Sequence, residues 1–359
     1  MDHFYALIMA GGGGTRLWPL SRRNRPKQML PLVSEESLFR VSVMRLAALF
    51  PPERIFVVTG KNQVDSLQAD VRELPKANFI GEPFGQDSGP AAALGVQHIT
   101  SLDPHAVIAI LTADHYISDV WGFNNCLRAA YHVAQQGYIV TLGIKPTFPA
   151  TGFGYIQQDG LLSETLGLSV YHSGGFKEKP SAEVAQQFLE SGRYSWNSGM
   201  FIWAGQQALA EFARQQPAIE ACLQPIRAAF GTPHYPQAIQ SAWEKMPKIS
   251  LDYAVMEQAQ HMAMIPVDIG WSDIGSWAAV YDELPKDPHG NVLQGAGQHL
   301  AIESHGSLVN SPRLVVTIGL DDVVVVDAED VIMVCRRDRA QDVKQAVEQL
   351  KKQGLDRYL

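Results

Sequence analysis

The stretch Met9 to Gln28, MAGGGGTRLWPLSRRNRPKQ, concentrates the residue types that handle phosphate. Gly11, Gly12, Gly13 and Gly14 follow a short apolar run, Phe4 to Ala10, and then come Arg16, Arg22, Arg23, Arg25 and Lys27. A strand running into a loop without side chains lets backbone N–H groups approach an anion closely. Nearby cations supply the counter-charge. No acid lies between Asp2 and Glu35, although the 359-residue chain carries a net charge of -8. An acidic chain with one acid-free basic segment points to a local anion rather than to nucleic acid. Two phosphate motifs are excluded. A Walker A loop needs Gly-Lys-Ser/Thr, and Thr15-Arg16-Leu17 does not supply it. A dinucleotide fingerprint needs a third glycine where Arg16 or Leu17 stands. What remains is Gly-x-Gly-Thr-Arg, with Lys27 eleven residues further on in Pro26-Lys27-Gln28. Arg22, Arg23 and Arg25 read as a solvated loop.

The elements that must position this loop are those of an α/β fold. Tyr5 to Met9, Ile55 to Thr59 and Ala106 to Leu111 are apolar runs of buried-strand type. Amphipathic stretches alternate with them: Ser37 to Phe50, Asn62 to Glu73, Pro90 to Thr100, and Val120 to Gln136 leading into Tyr138 to Ile144. Such alternation predicts a doubly wound, mostly parallel sheet, with ligands beyond the carboxyl ends of the strands. The middle mixes strands (Tyr171 to Phe176, Met200 to Trp203) with helices (Ala182 to Glu190, Gly205 to Gln215, Asp252 to Ala259). Lys145 to Gly154 suits a mobile loop at the rim of a cleft. After Pro285 short strands follow, Leu314 to Ile318, Val323 to Val326 and Val331 to Val334, then a helix, Ala340 to Gln353. The predicted division is a catalytic domain over 1–285 and a small β region with a terminal helix over 286–359, in which no sustained repeat is visible.

The loop pattern resembles the signature of the sugar-1-phosphate nucleotidylyltransferases, and the resemblance continues along nearly the whole chain. It includes Gly81-Glu82-Pro83, Ala113-Asp114-His115, Thr151-Gly152-Phe153-Gly154-Tyr155-Ile156, Phe176-Lys177-Glu178-Lys179-Pro180, Trp196-Asn197-Ser198-Gly199-Met200-Phe201, Leu251-Asp252-Tyr253-Ala254-Val255-Met256-Glu257 and Gly270-Trp271-Ser272-Asp273-Ile274-Gly275-Ser276-Trp277. The wording is closest to members that transfer GMP from GTP to mannose 1-phosphate. The resemblance implies that Gly11, Gly12, Gly14 and Thr15 wrap the triphosphate, with Arg16 on the leaving pyrophosphate and Lys27 on the phosphates. It implies Mg²⁺ held by Asp114 and Asp273, the C-terminal strands as a left-handed β-helix-like portion, and a homodimer through that region. Without the resemblance, Asp114 reads as a helix cap and Asp273 as turn chemistry. Glu178 and Asn197 become readers of sugar hydroxyls, Lys179 the cation for the sugar phosphate, and Gly152 a point of close backbone approach. Asp252 fits a cap for the following helix as well as a sugar contact. His115 reads as a structural hydrogen-bonder.

The base-reading segment departs from the family wording. Gln86-Asp87-Ser88-Gly89-Pro90 stands where Arg-Asn-Thr-Ala-Pro is usual. Asp87, Ser88 and Pro90 remain candidates there, and a carboxylate at Asp87 or Glu82 would accept from guanine N–H donors. The expectation is that guanine stays preferred. Gly13, often Ser, and Thr112, often Pro, are smaller departures. Rival readings are a nucleotidylyltransferase for glucose or heptose phosphate, a non-catalytic nucleotide-sugar-binding subunit, and a nicotinamide oxidoreductase. Hydrophobic content of 46% with 18% charged residues is ordinary for a globular protein. Cys126, Cys222 and Cys335 form neither a zinc motif nor a complete disulfide set. No membrane-length segment or targeting signal is visible, so the expectation is a cytoplasmic enzyme. Longer family members add an isomerase domain of cupin type, and no isomerase activity is expected of these 359 residues.

Overall fold

Nine strands pair into one mixed sheet: β1 (Phe4–Ala10), β2 (Ile55–Gly60), β3 (Phe79–Glu82), β4 (Val107–Thr112), β5 (Ile139–Ile144), β6 (Tyr155–Thr165), β7 (Leu168–Lys177), β8 (Tyr194–Ala204) and β9 (Met262–Val267). The structure is a computed structural model that describes residues 1–12 and 14–359, so Gly13 lies outside the described residues. The strand order is β3-β2-β1-β4-β8-β5-β9-β7-β6. The first four strands are parallel, with Ala6 opposite Ile55, Leu7 opposite Ile110, and Val57 opposite Phe79. β8 enters antiparallel between β4 and β5, and β9 is again parallel to β5.

Helices cover both faces, as the alternating pattern predicts. Helix α1 (Ser88–Leu102) lies on the Leu7 face, where a Cβ at Gly95 would stand 2.4 Å from Leu7 Cδ2. Only glycine lets that helix approach so closely. Helix α2 (Val120–Ala134) lies on the opposite face, where the rings of Phe4 and Tyr131 are 4.8 Å apart. Its cap is Asp119, which accepts from Gly122 N, so the capping role is not that of Asp114.

The chain divides into two compact units. The first comprises Met1–Gly11, Val43–Ala113 and Ile117–Trp271 and contains the nine-stranded sheet. The second comprises Gly12–Ser42, Asp114–Tyr116 and Ser272–Leu359. Its strands are β10 (Val292–Gln294), β11 (His299–Ile302), β12 (Leu308–Asn310), β13 (Val315–Ile318), β14 (Val323–Ala328) and β15 (Val331–Arg336). Val292 pairs with Leu308, His299 with Val315 and Leu308 with Val324, all in parallel, so each coil advances 16 residues, the separation that also joins Ser307 to Asn291. This repeat, which the sequence does not display, makes the region helix-like. Inside it, Leu17, Trp18, Leu30 and Leu32 share one core with Trp277, Val324, Val343 and Val347. Trp18 Nε1 donates to Tyr358 O at 2.7 Å, and Trp277 Nε1 donates to Trp18 O at 3.0 Å.

Candidate active site

In the second unit the segment after the glycines is built around Lys27. Gly14 has φ +58° and a Cβ there would lie 2.3 Å from Lys27 Cβ, so the backbone must be glycine for the lysine to pass. Gly12 is also left-handed, with φ +96° and no described atom within 4 Å of a Cβ. Thr15–Leu17 forms a single turn that starts at Gly14 and carries Arg16 outward. Arg16 Nη1 donates to Gln341 Oε1 at 3.0 Å. Lys27 is buried, and its ammonium donates to Asp114 Oδ2 at 2.7 Å and to the Asp273 carbonyl at 2.5 Å. Residues 27, 114 and 273 therefore meet at one nitrogen.

Burial pushes the Asp114 carboxyl up, but the Lys27 and His115 charges outweigh it and hold it below the usual range. Asp114 Oδ1 stands 3.9 Å from His115 Nε2. Asp273 Oδ1 accepts from Gly275 N at 3.1 Å, which is the turn chemistry its setting predicts. A Cβ at Gly275 would lie 2.5 Å from Asp273 Oδ2, so the carboxylate packs closely on that glycine. The flanking arginines are more engaged than a solvated loop implies. Arg22 pairs with Asp330 at 2.7 Å and Arg23 with Asp356 at 2.9 Å, tying the basic segment to the C-terminal part of its unit.

In the first unit the ends of several strands gather a polar cluster. Glu178, 6% exposed, follows β7 and takes a contact from the Lys179 ammonium. Its backbone N donates to Glu257 Oε1 at 3.2 Å. Asn197, on β8, donates through Nδ2 to Asp252 Oδ1 at 2.9 Å and accepts at Oδ1 from Gly199 N at 3.0 Å. The close approach falls at Gly154, where a Cβ would stand 2.5 Å from Glu178 Oε2, whereas no described atom lies within 4 Å of a Cβ at Gly152. The helix expected over 252–259 is shorter: α3 (Leu251–Ala254) is capped by Ser250, whose Oγ accepts from Tyr253 N. Asp252 is thereby relieved of capping and joins the cluster. Burial, then Glu178, push its carboxyl up to about 6 against the pull of Lys179.

The base-reading candidates lie in the same unit, at the end of β3 and the start of α1. Glu82 is 6% exposed, its Oε1 has no hydrogen-bond partner among the described residues, and burial pushes its carboxyl up to about 7. Asp87, exposed and with φ +72°, caps α1 by accepting from Ser88 N at 2.8 Å. Ser88 Oγ accepts from Leu251 N at 2.9 Å, and Pro90 is buried in the first turn of α1, where a missing N–H costs nothing. The sequence reading missed Gly154 and ranked Asp252 below its geometry. The second lay inside a quoted motif, but its partner Asn197 is 55 residues away.

A glycine-packed lysine held on the Asp114 carboxylate and a wound α/β sheet suit a phosphate-handling enzyme of the nucleotide-binding class. A family model described as nucleotidyl transferase matches residues 5–289, and one described as a mannoseP isomerase/GMP-like beta-helix domain matches residues 297–350. The mannose-1-phosphate guanylyltransferase of Klebsiella pneumoniae is 38% identical over 98% of this chain and 75% of its own length. The alginate biosynthesis protein AlgA of Pseudomonas aeruginosa is 35% identical over 97% of this chain and 72% of its own. A crystal structure of mannose-1-phosphate geranyltransferase from Thermus thermophilus aligns with a TM-score of 0.88 and 34% identity, covering 97% of this chain and 99% of that one. The chain belongs to the nucleotidyl transferase family, among its mannose-1-phosphate guanylyltransferases.

Proposed function

We propose that this enzyme transfers GMP from GTP to mannose 1-phosphate. An oxygen of the sugar phosphate forms a bond to the α-phosphorus of GTP, the α–β bridging bond breaks, and its electron pair leaves with pyrophosphate. The nucleophile needs no strong base, because a phosphate monoester with a second pKa of about 6 is already mostly ionised at neutral pH. Positioning and charge neutralisation carry the catalysis. Lys27, fixed between Asp114 and the Asp273 carbonyl, supplies a pre-placed cation. Arg16, with Gly11, Gly12, Gly14 and Thr15, neutralises and wraps the phosphates of the nucleotide. That convergence on Lys27 is the observation that carries the reading.

The residues fit a divalent ion. Asp114 brings a carboxylate held in its charged form to the Lys27 ammonium, and Asp273 reaches the same nitrogen through its backbone carbonyl while its carboxylate, a second hard oxygen donor, accepts from Gly275 N. Mg²⁺ on these two carboxylates would stabilise charge on the phosphate undergoing transfer. Glu178, Lys179, Asn197 and the open backbone at Gly152 take the sugar phosphate. Glu82, Asp87, Ser88 and Pro90 form the base-reading edge, and the unpartnered Oε1 supports Glu82 as the acceptor for guanine donors. We place the chemistry within residues 1–285 and give the β region over 286–359 a role in pairing two copies. Leu300, Ile302, Val316 and Ile318 support a homodimer: they stand on the outer face of β11 and β13 and are 45–66% exposed. Free thiols and these substrates favour a cytoplasmic setting.

Pyrophosphate release from GTP, Mg²⁺ and mannose 1-phosphate tests the reaction. A panel adding ATP, dTTP and UTP, and glucose and heptose 1-phosphates, tests its selectivity. Preference for another nucleotide or sugar phosphate would overturn the substrate assignment, and absence of turnover would overturn the reaction.

A further inference from the structure

We infer that Asp252 is a positioning residue for sugar selection, fixing which way the Asn197 amide presents its remaining donor and acceptor to the sugar phosphate. This rests on reading Glu178, Lys179 and Asn197 as the sugar-phosphate residues. The oxygen and nitrogen ends of an asparagine amide are nearly equal in size, and a flip exchanges donor for acceptor at whatever hydroxyl it meets. The neighbours of Asn197 forbid that flip. Gly199 N–H can only donate, and it takes Oδ1 at 3.0 Å. The Asp252 carboxylate can only accept, and it takes Nδ2 at 2.9 Å. A flipped amide would face oxygen with oxygen and N–H with N–H in a site where Asn197 is only 9% exposed. One N–H and one lone pair of the amide then point in assigned directions.

Asp252 is itself held in register. The Ser250 cap starts its helix, and Ser88 Oγ accepts from Leu251 N at 2.9 Å. The charged groups around it are Glu178 and Lys179 from the end of β7, with Tyr253 beside it on α3.

The test is a double-mutant cycle read as separate KM values. Asp252→Ala should raise KM for the hexose 1-phosphate about tenfold, the size of one net hydrogen bond. KM for GTP and the melting temperature should move little. Asp252→Asn, which keeps an acceptor for Nδ2, should recover most of the loss. In an Asn197→Ala background, Asp252→Ala should add less than about twofold. A full tenfold loss in that background would show that Asp252 acts on substrate independently and overturn the inference. Parallel rises in both KM values, or lost thermal stability without a KM change, would reduce Asp252 to a structural residue and overturn it too. The wild-type panel comes first. If another hexose 1-phosphate is preferred, that corrects the substrate assignment alone, and the cycle is read with that substrate. If none turns over, both proposals fall.

Discussion

Single residues carry the sharpest expectations. Asp114 Oδ2 and Lys27 share a 2.7 Å contact, so Asp114→Asn keeps the shape and one acceptor but removes the charge. Turnover should fall by a factor of about 100 or more while circular dichroism stays native. Near-normal pyrophosphate release would exclude Asp114 as an essential ligand. Glu82 makes a prediction about pH. Its carboxyl is raised from 4.5 to about 7 by burial, so the folded protein holds a proton that the unfolded chain releases at lower pH. The group therefore lowers stability as pH rises from about 4.5 to 7, by roughly 3 kcal/mol at most. Glu82→Gln should remove that slope and be more stable than wild type at pH 8 in urea unfolding. Parallel stability curves for the two proteins would refute the buried, ionising carboxyl. Asp87, a base-reading candidate by its type, also has a local task, since one of its oxygens accepts from Ser88 N at the start of α1.

At the scale of elements, the sheet was largely legible and the site only partly so. Uninterrupted apolar runs place β1, β2, β4 and β5 within a residue or two, because a strand buried on both faces has no other composition available. The helix at Gly205–Gln215 falls where its period puts it. Capping decided the helix near Asp252, where Ser250, two residues earlier, takes the cap that the sequence pattern allowed to the aspartate. The terminal helix α4 (Val343–Lys352) shows how an element far from the loop supports it. Its Val343 and Val347 are buried in the core that includes Leu17, one residue after Arg16. Val347→Ala should cost roughly 2 kcal/mol in chemical unfolding and raise KM for GTP more than KM for the sugar phosphate. An unchanged KM for GTP would separate the helix from the loop.

For the molecule as a whole, the exposed apolar ladder on β11 and β13 is the basis for the proposed homodimer. Leu300 lies opposite Val316 and Ile302 opposite Ile318, while Thr317, between the two exposed residues, is buried. Sedimentation should show a dimer that Val316→Glu together with Ile318→Glu converts to a monomer with wild-type melting behaviour. A monomeric wild type at micromolar concentration would remove the proposal. The two substitutions lie on an outer face, so they test association rather than folding.

By composition and order alone the chain specified a wound α/β sheet, a phosphate loop and the family wording, because local period and short motifs are written in adjacent residues. What only the tertiary structure decided is long-range. Lys27 meets Asp114 and Asp273 across 87 and 246 residues, and Gly14 is needed because Lys27 fills the space its side chain would take. The 16-residue coil of the C-terminal strands stayed hidden for the same reason. Equivalent positions such as His299 and Val315 share a place in the stack but not a side-chain type. Pairing in space imposes a register that side-chain identity does not have to record.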